Sequence, residues 1–283
     1  MARGSGCLWW VWVSPCAGIA SLCLVTTGSR AVAAERVTWV ELGPGGAVIA
    51  RTIAEASKVC PNIVLDGRSV PMQSRGTIPA TFPLLCEASI PPGARSASID
   101  RQPLALPRAS LRRIAVIGDT GCRVRIRSEG KSPDFEIQDC EKGWQFKAIA
   151  DAAAAQRPDL VIHTGDYVYR ESDCPAGKPC QGPSGFQWKT WYADFFEPAA
   201  SLLKAAPWIF VRGNHEDCGH GGAGWFYLLD PRPQRANPCA SEYSDPYTVT
   251  AGDMQFLVLD SSIAEERQRG SGRFWSFPGS CGN

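Results

Sequence analysis

Residues 207–217 read PWIFVRGNHED, a continuous apolar stretch that runs into Gly213, Asn214, His215 and Glu216. A buried parallel strand has this form, and in open α/β sheets ligands gather just beyond the carboxyl ends of such strands. The stretch therefore predicts a strand that delivers a polar loop into a functional site. Two upstream stretches repeat the pattern. Residues 113–121, RIAVIGDTG, and 160–169, LVIHTGDYVY, are each an apolar run ending in Gly-Asp.

If the three strand ends converge, Asp119, Asp166 and Asn214 place oxygen donors around one point, with the Tyr169 phenol three residues beyond the second aspartate. Carboxylate, amide oxygen and phenolate are hard donors, suited to iron(III), manganese or magnesium rather than to a thiolate-seeking ion. Gly118, Gly165 and Gly213 fit a chain that turns sharply and passes close to an ion or a neighbouring backbone.

In chain order, GDTG, GDYVY and GNHE resemble the GDxG, GDxxY and GNHE/D blocks of calcineurin-like metallophosphoesterases, specifically the purple acid phosphatase-like branch. The resemblance implies a layered β-sheet α/β (α+β) fold with flanking helices. It also implies a binuclear centre of iron(III) with a divalent iron, zinc or manganese ion. In it Asp119 and Tyr169 are ligands of the ferric ion, Asp166 bridges, and Asn214 holds the divalent ion. His215 is the non-ligand histidine that stabilises the transition state or protonates the leaving group. In such chemistry the metals activate a hydroxide and clamp the phosphoryl oxygens, sitting roughly 3.5–4 Å apart.

The family's VxxH and GHxH blocks have no counterpart here, since the histidines are His163, His215 and His220. Four of the seven ligand positions are present. The reading expects a truncated chain whose catalytic competence is in question.

Outward from this core, the first segment, 1–34, has Arg3, a long apolar stretch and small residues at Ala31-Val32-Ala33, the pattern of a cleaved signal peptide. An uncleaved anchor is the rival. A secreted or periplasmic protein without a stable membrane anchor is expected. Of twelve cysteines, three lie in that segment, and export makes disulfides the default for the rest. Sequence proximity pairs Cys60 with Cys86, Cys122 with Cys140, Cys174 with Cys180 and Cys218 with Cys239, leaving Cys281; the sequence alone leaves connectivity open. No CxxC pair supports zinc.

Residues 35–99 alternate short apolar runs with GPGG and PPG breaks, predicting a small β-sandwich-like domain. The proline-bearing segment 100–112 is read as a linker, and 113–262 as the metallophosphoesterase domain. Within it, 141–156 predicts a helix, 170–187 a stapled rim loop, and 188–196 an aromatic core segment at helical spacing. Residues 246–262 predict a hairpin that extends the sheet. Arg123, Arg125 and Arg127 sit in a charged loop where one guanidinium could reach a substrate phosphate. His163 is expected as a hydrogen-bonded core histidine, and His220 as an exposed loop residue. The tail 263–283 has no periodic run.

A net charge of +1, with no basic run, excludes an electrostatic nucleic-acid surface. The functional expectation is an exported phosphoesterase acting on small phosphate monoesters. Phosphodiesters or nucleotide pyrophosphates are alternatives within the class, and a non-catalytic remnant or binding module is the alternative outside it.

Overall fold

The computed structural model describes residues 36–54, 58–127, 134–241 and 243–263. The expected signal segment, the unpaired Cys281 and nearly all of the tail lie outside them. Eight strands come first: β1 (Thr38–Leu42), β2 (Val48–Ala54), β3 (Asn62–Leu65), β4 (Arg68–Pro71), β5 (Gln73–Ser74), β6 (Leu84–Ser89), β7 (Ala97–Ile99) and β8 (Gln102–Pro103). The second group is β9 (Ile114–Ile117), β10 (Val124–Arg127), β11 (Asp134–Ile137), β12 (Leu160–His163), β13 (Trp208–Phe210), β14 (Tyr247–Ala251) and β15 (Met254–Val258). Helices α1 (Phe146–Ala155), α2 (Trp188–Trp191), α3 (Ala200–Ala205) and α4 (Gly222–Leu228) interleave with the second group.

The main sheet has the order β5-β6-β2-β1-β13-β12-β9. Strands β9, β12 and β13 are parallel, as expected for apolar runs joined by helical crossovers. Their register decides where the site lies. His163 pairs with both Ile117 and Phe210, so all three strands end at the same level and their Gly-containing loops emerge side by side.

Residues 36–99 do not form a separate sandwich. β1 is buried along its whole length and joins β13 in parallel at Glu41 and Trp208, and β2, β6 and β5 extend the same sheet antiparallel. The rest of that region forms a four-stranded sheet, β4-β3-β7-β8. The described residues from Arg36 onward belong to one compact unit, so 100–112 divides no domains. Local pattern predicted the strands and missed their pairing, because the partner of β1 lies far downstream. The expected sheet-extending hairpin is also revised. β14 and β15 pair with each other as their own two-stranded sheet. The inward residues Val249, Ala251 and Val258 pack on Leu42 and Ile209 instead of adding a main-sheet strand.

Aromatic side chains fill the layer between the sheet and the helices. After α2 the chain takes one π-helical turn, Tyr192–Phe196, which turns Phe195 and Phe196 into the core. Phe195 stands edge-on to His163, Tyr167, Trp208 and Phe210 at 5.1–6.0 Å, an arrangement aromatic quadrupoles favour. Trp188, Trp191, Phe195 and Phe196 are core, as their spacing predicts, whereas Tyr192 of the same segment is exposed. All four cysteine pairs expected from sequence are disulfides: 60–86, 122–140, 174–180 and 218–239.

Candidate metal centre

The segment after β9 runs alongside the one after β12. Asp119 N–H donates to the Gly165 carbonyl at 3.1 Å, Thr120 N–H to Asp166 at 2.9 Å, and Val124 N–H to Tyr169 at 3.0 Å. Close approach explains the glycines. A Cβ on Gly165 would lie 2.5 Å from the Gly213 Cα, and one on Gly121 would lie 2.6 Å from the Tyr169 nitrogen. The sharp turns themselves fall on the aspartates: Asp119 has φ 53° and Asp166 φ 64°, in the left-handed region that Asp tolerates better than most residues.

These turns bring three oxygens together. The single proton of the Tyr169 hydroxyl is shared between Asp119 Oδ1 at 2.7 Å and Asp166 Oδ2 at 2.9 Å. Burial, followed by the two carboxylates, raises the phenol's pKa well above its ordinary value. Asn214, at the start of a 3₁₀ turn, is exposed, and the next residue ties this loop to the site through His215 N–H and Asp166 Oδ1 at 3.0 Å. The His215 ring lies 3.9 Å from the Tyr169 ring. Asp119, Asp166, Tyr169 and His215 thus lie together, and Asn214 adjoins them through the backbone with its side chain exposed.

Glu216 holds the second and third loops together. Its buried carboxylate accepts Asp166 N–H and Tyr167 N–H, each at 2.8 Å, and Gly213 N–H at 3.3 Å. Burial, then the charge of Asp166, pushes its pKa up to about 7. Sequence reading missed Glu171, which sits in the Gly-, Pro- and Cys-rich rim. Glu171 Oε1 lies 2.8 Å from His215 Nδ1, while its other oxygen pairs with Arg125 at 2.9 Å. The contact with His215 lies off the N–H direction, so it is a charge contact rather than an aligned hydrogen bond. Burial opposes the imidazolium of His215, yet Glu171 and the charges of Asp166 and Glu216 outweigh it and raise the pKa.

The other two histidines stand outside the donor cluster. His163 is fully buried and accepts Gly165 N–H at Nδ1, 3.2 Å away. The proton is therefore on Nε2, which donates to Thr120 Oγ1 at 2.9 Å. Burial lowers its pKa well below the usual value, and it is a neutral core histidine. His220 contacts Asp217 at 2.8 Å.

Asp119, Asp166 and Tyr169 fit a single hard cation: their oxygens already converge, and all are oxygen donors. Among the described residues, no group of three or more His, Cys, Asp and Glu is arranged to hold a metal.

Parallel strands ending at one level, with two Gly-Asp loops and a Gly-Asn-His loop around an oxygen cluster, define a phosphoesterase-type site. The calcineurin-like phosphoesterase family matches residues 112–279, and the chain belongs to that family. Members generally use a dinuclear metal centre. Among solved structures, that of PhoD is similar, with 13% identity and a TM-score of 0.40, covering 80% of this chain and 51% of PhoD. The chain thus spans about half the length of that relative. No curated protein matches it.

Proposed function

We propose that this chain is an exported metal-dependent hydrolase of phosphate monoesters, of the purple acid phosphatase-like type. The observation that carries the reading is the convergence of Asp119, Asp166 and Tyr169 oxygens beside the ring of His215. Asp119 and Tyr169 would hold the iron(III), Asp166 would bridge, and Asn214 would reach a divalent iron, zinc or manganese ion. When bound, such a centre supplies an activated hydroxide and charge neutralisation for the phosphoryl oxygens.

The chain's own residues supply the rest. Glu171 faces Nδ1 of His215, which leaves Nε2 to serve the substrate. The carboxylates of Glu171, Asp166 and Glu216 around the ring favour its protonated form, as a proton donor to a departing alkoxide requires. Four disulfides support export, and among the described residues no helix is long and apolar enough to cross a membrane.

A non-catalytic binding module is the second reading, favoured because among the described residues the donor cluster has no third carboxylate or imidazole. One experiment separates the two: metal content by mass spectrometry together with p-nitrophenyl phosphate hydrolysis, for wild type and Asp166→Asn. Two bound metals and turnover in wild type, both lost in Asp166→Asn, support the hydrolase. A folded wild-type protein without metal or turnover rejects it.

A further inference from the structure

A cavity of about 500 Å³ opens beside the oxygen cluster, lined by Asp119 and Tyr169 on one side and by Glu136, Ile137 and Gln138 of the β10–β11 hairpin on the other. Among the described residues of that lining, Arg123 is the one cationic side chain. We infer that Arg123 is the specificity-determining residue for the substrate's terminal phosphoryl group, selecting dianionic monoesters over monoanionic diesters. The inference rests on the hydrolase reading for its reaction and on the cavity for its geometry.

Three features single out Arg123 among the charged residues of its loop. The guanidinium carbon lies 4.8 Å from the centroid of the Tyr169 ring, the same ring that His215 contacts and whose hydroxyl joins Asp119 to Asp166. The cation is therefore held beside the point where a phosphoryl group would meet the oxygen cluster. Its backbone is fixed on every side. The Arg123 N–H donates to Gln138 Oε1 at 3.2 Å, its carbonyl accepts Gln138 N–H at 2.8 Å, and the preceding Cys122 is disulfide-bonded to Cys140. Preorganisation of this kind reduces the entropy lost on binding.

The third feature is availability. Arg123 meets Glu136 only at 3.5 Å, with its side chain half exposed, so this is a surface pair of little strength that a phosphate can displace. Its neighbours are committed elsewhere: Arg125 pairs with Glu171 at 2.9 Å, and Arg170 is buried against Asp194 at 2.6 Å. A guanidinium matches phosphoryl oxygens with paired N–H donors. A dianionic terminal phosphate offers it one more unesterified oxygen and one more charge than a diester does.

The test uses the full chain with Arg123→Gln and Arg123→Lys, substitutions at an exposed side chain. Kinetics are read on p-nitrophenyl phosphate and bis(p-nitrophenyl) phosphate, and equilibrium binding of inorganic phosphate is read by calorimetry. Expected for Arg123→Gln is about a 10- to 100-fold rise in KM for the monoester and a like loss of phosphate affinity, with the diester KM changed less than about threefold. Arg123→Lys should recover part of the affinity. Equal losses on both esters, or unchanged phosphate binding, overturn the inference. Turnover that persists while Arg123→Gln behaves as wild type removes the role of Arg123 and leaves the hydrolase. Phosphate binding that Arg123→Gln abolishes in a protein without turnover removes the hydrolase and leaves Arg123 as an anion-binding residue.

Discussion

Replacing Glu216 with Gln should loosen the metal centre without touching any proposed ligand. In the wild type, Oε2 accepts the N–H groups of Asp166 and Gly213 and Oε1 accepts that of Tyr167. Gln offers one carbonyl oxygen. If it takes the place of Oε2, its NH₂ group faces the Tyr167 N–H, donor against donor; the opposite orientation strands two donors. Glu216 is fully buried, so water cannot supply the missing acceptor. One unsatisfied buried N–H costs about 1–3 kcal/mol, offset in part because Gln removes a buried charge that is unfavourable above the raised pKa, for a net destabilisation of about 1 kcal/mol. Glu216→Ala strands all three donors and should cost about 4 kcal/mol. The assay is urea unfolding of chelator-treated protein at pH 8, above the pKa of about 7 to which Glu216 is raised. Metal titration of the folded proteins follows, with affinity expected to fall about 10- to 100-fold because Asp166 and His215 lose their alignment. Unfolding within about 0.5 kcal/mol of wild type, with metal affinity intact, would refute the role assigned to Glu216.

Glu41 gives the pH dependence. Burial, against the pull of Arg51, raises its pKa to about 8; Arg51 is shared with Glu87 and two carbonyls, and Glu41 Oε1 has no partner. The folded state therefore retains a proton that the unfolded chain releases near pH 4.5, so this contribution is full below that pH and is lost as pH rises through 8. Denaturant unfolding from pH 5 to pH 9 should show wild type losing on the order of 3 kcal/mol relative to Glu41→Gln; parallel profiles contradict the assignment. Glu171→Gln should lower kcat about tenfold or more while KM and unfolding midpoint stay near wild type, because it removes the charge facing His215; a matched change in KM would point to a binding role. Replacing both Cys122 and Cys140 with Ser should cost about 3 kcal/mol for a bridge of sequence separation 18, read as the shift in urea midpoint against wild type.

What the sequence made legible was local. Each strand of the site is an apolar run with its proposed ligand at the end, and each disulfide joins cysteines close in the chain, so neighbouring residues carried the signal. The pairing of β1 with β13 was not legible, because Glu41 and Trp208 meet across more than half the chain and nothing near either marks the other. Buried charge hid equally well. Periodicity treats Arg51 and Arg75 as surface residues, yet both are buried, their guanidiniums bonded to the Asp230 carbonyl at 2.7 and 2.6 Å. Glu171 was missed for a different reason: its partner His215 was recognised by motif, while the loop bearing Glu171 has no pattern at all.

Those buried arginines bear on how the site is held. Arg51 on β2 and Arg75 just after β5 bind the carbonyls of Leu228, Asp230, Phe226 and Arg232, the end of α4 and the turn beyond it. Helix α4 in turn begins directly after the Gly-Asn-His loop, where Gly221 N–H donates to the His215 carbonyl at 2.9 Å and Gly222 N–H to that of Asp217 at 2.9 Å. The N-terminal strands thus grip the far end of the helix whose near end bonds the Gly-Asn-His loop. Several carbonyls buried at a helix terminus need donors, and the two guanidiniums supply them. A chain beginning at Arg113 would leave these carbonyls unpaired and strip β1 from β13, exposing a sheet edge beside the site. The strands of residues 36–99 are therefore part of the scaffold on which α4 and the loop before it rest.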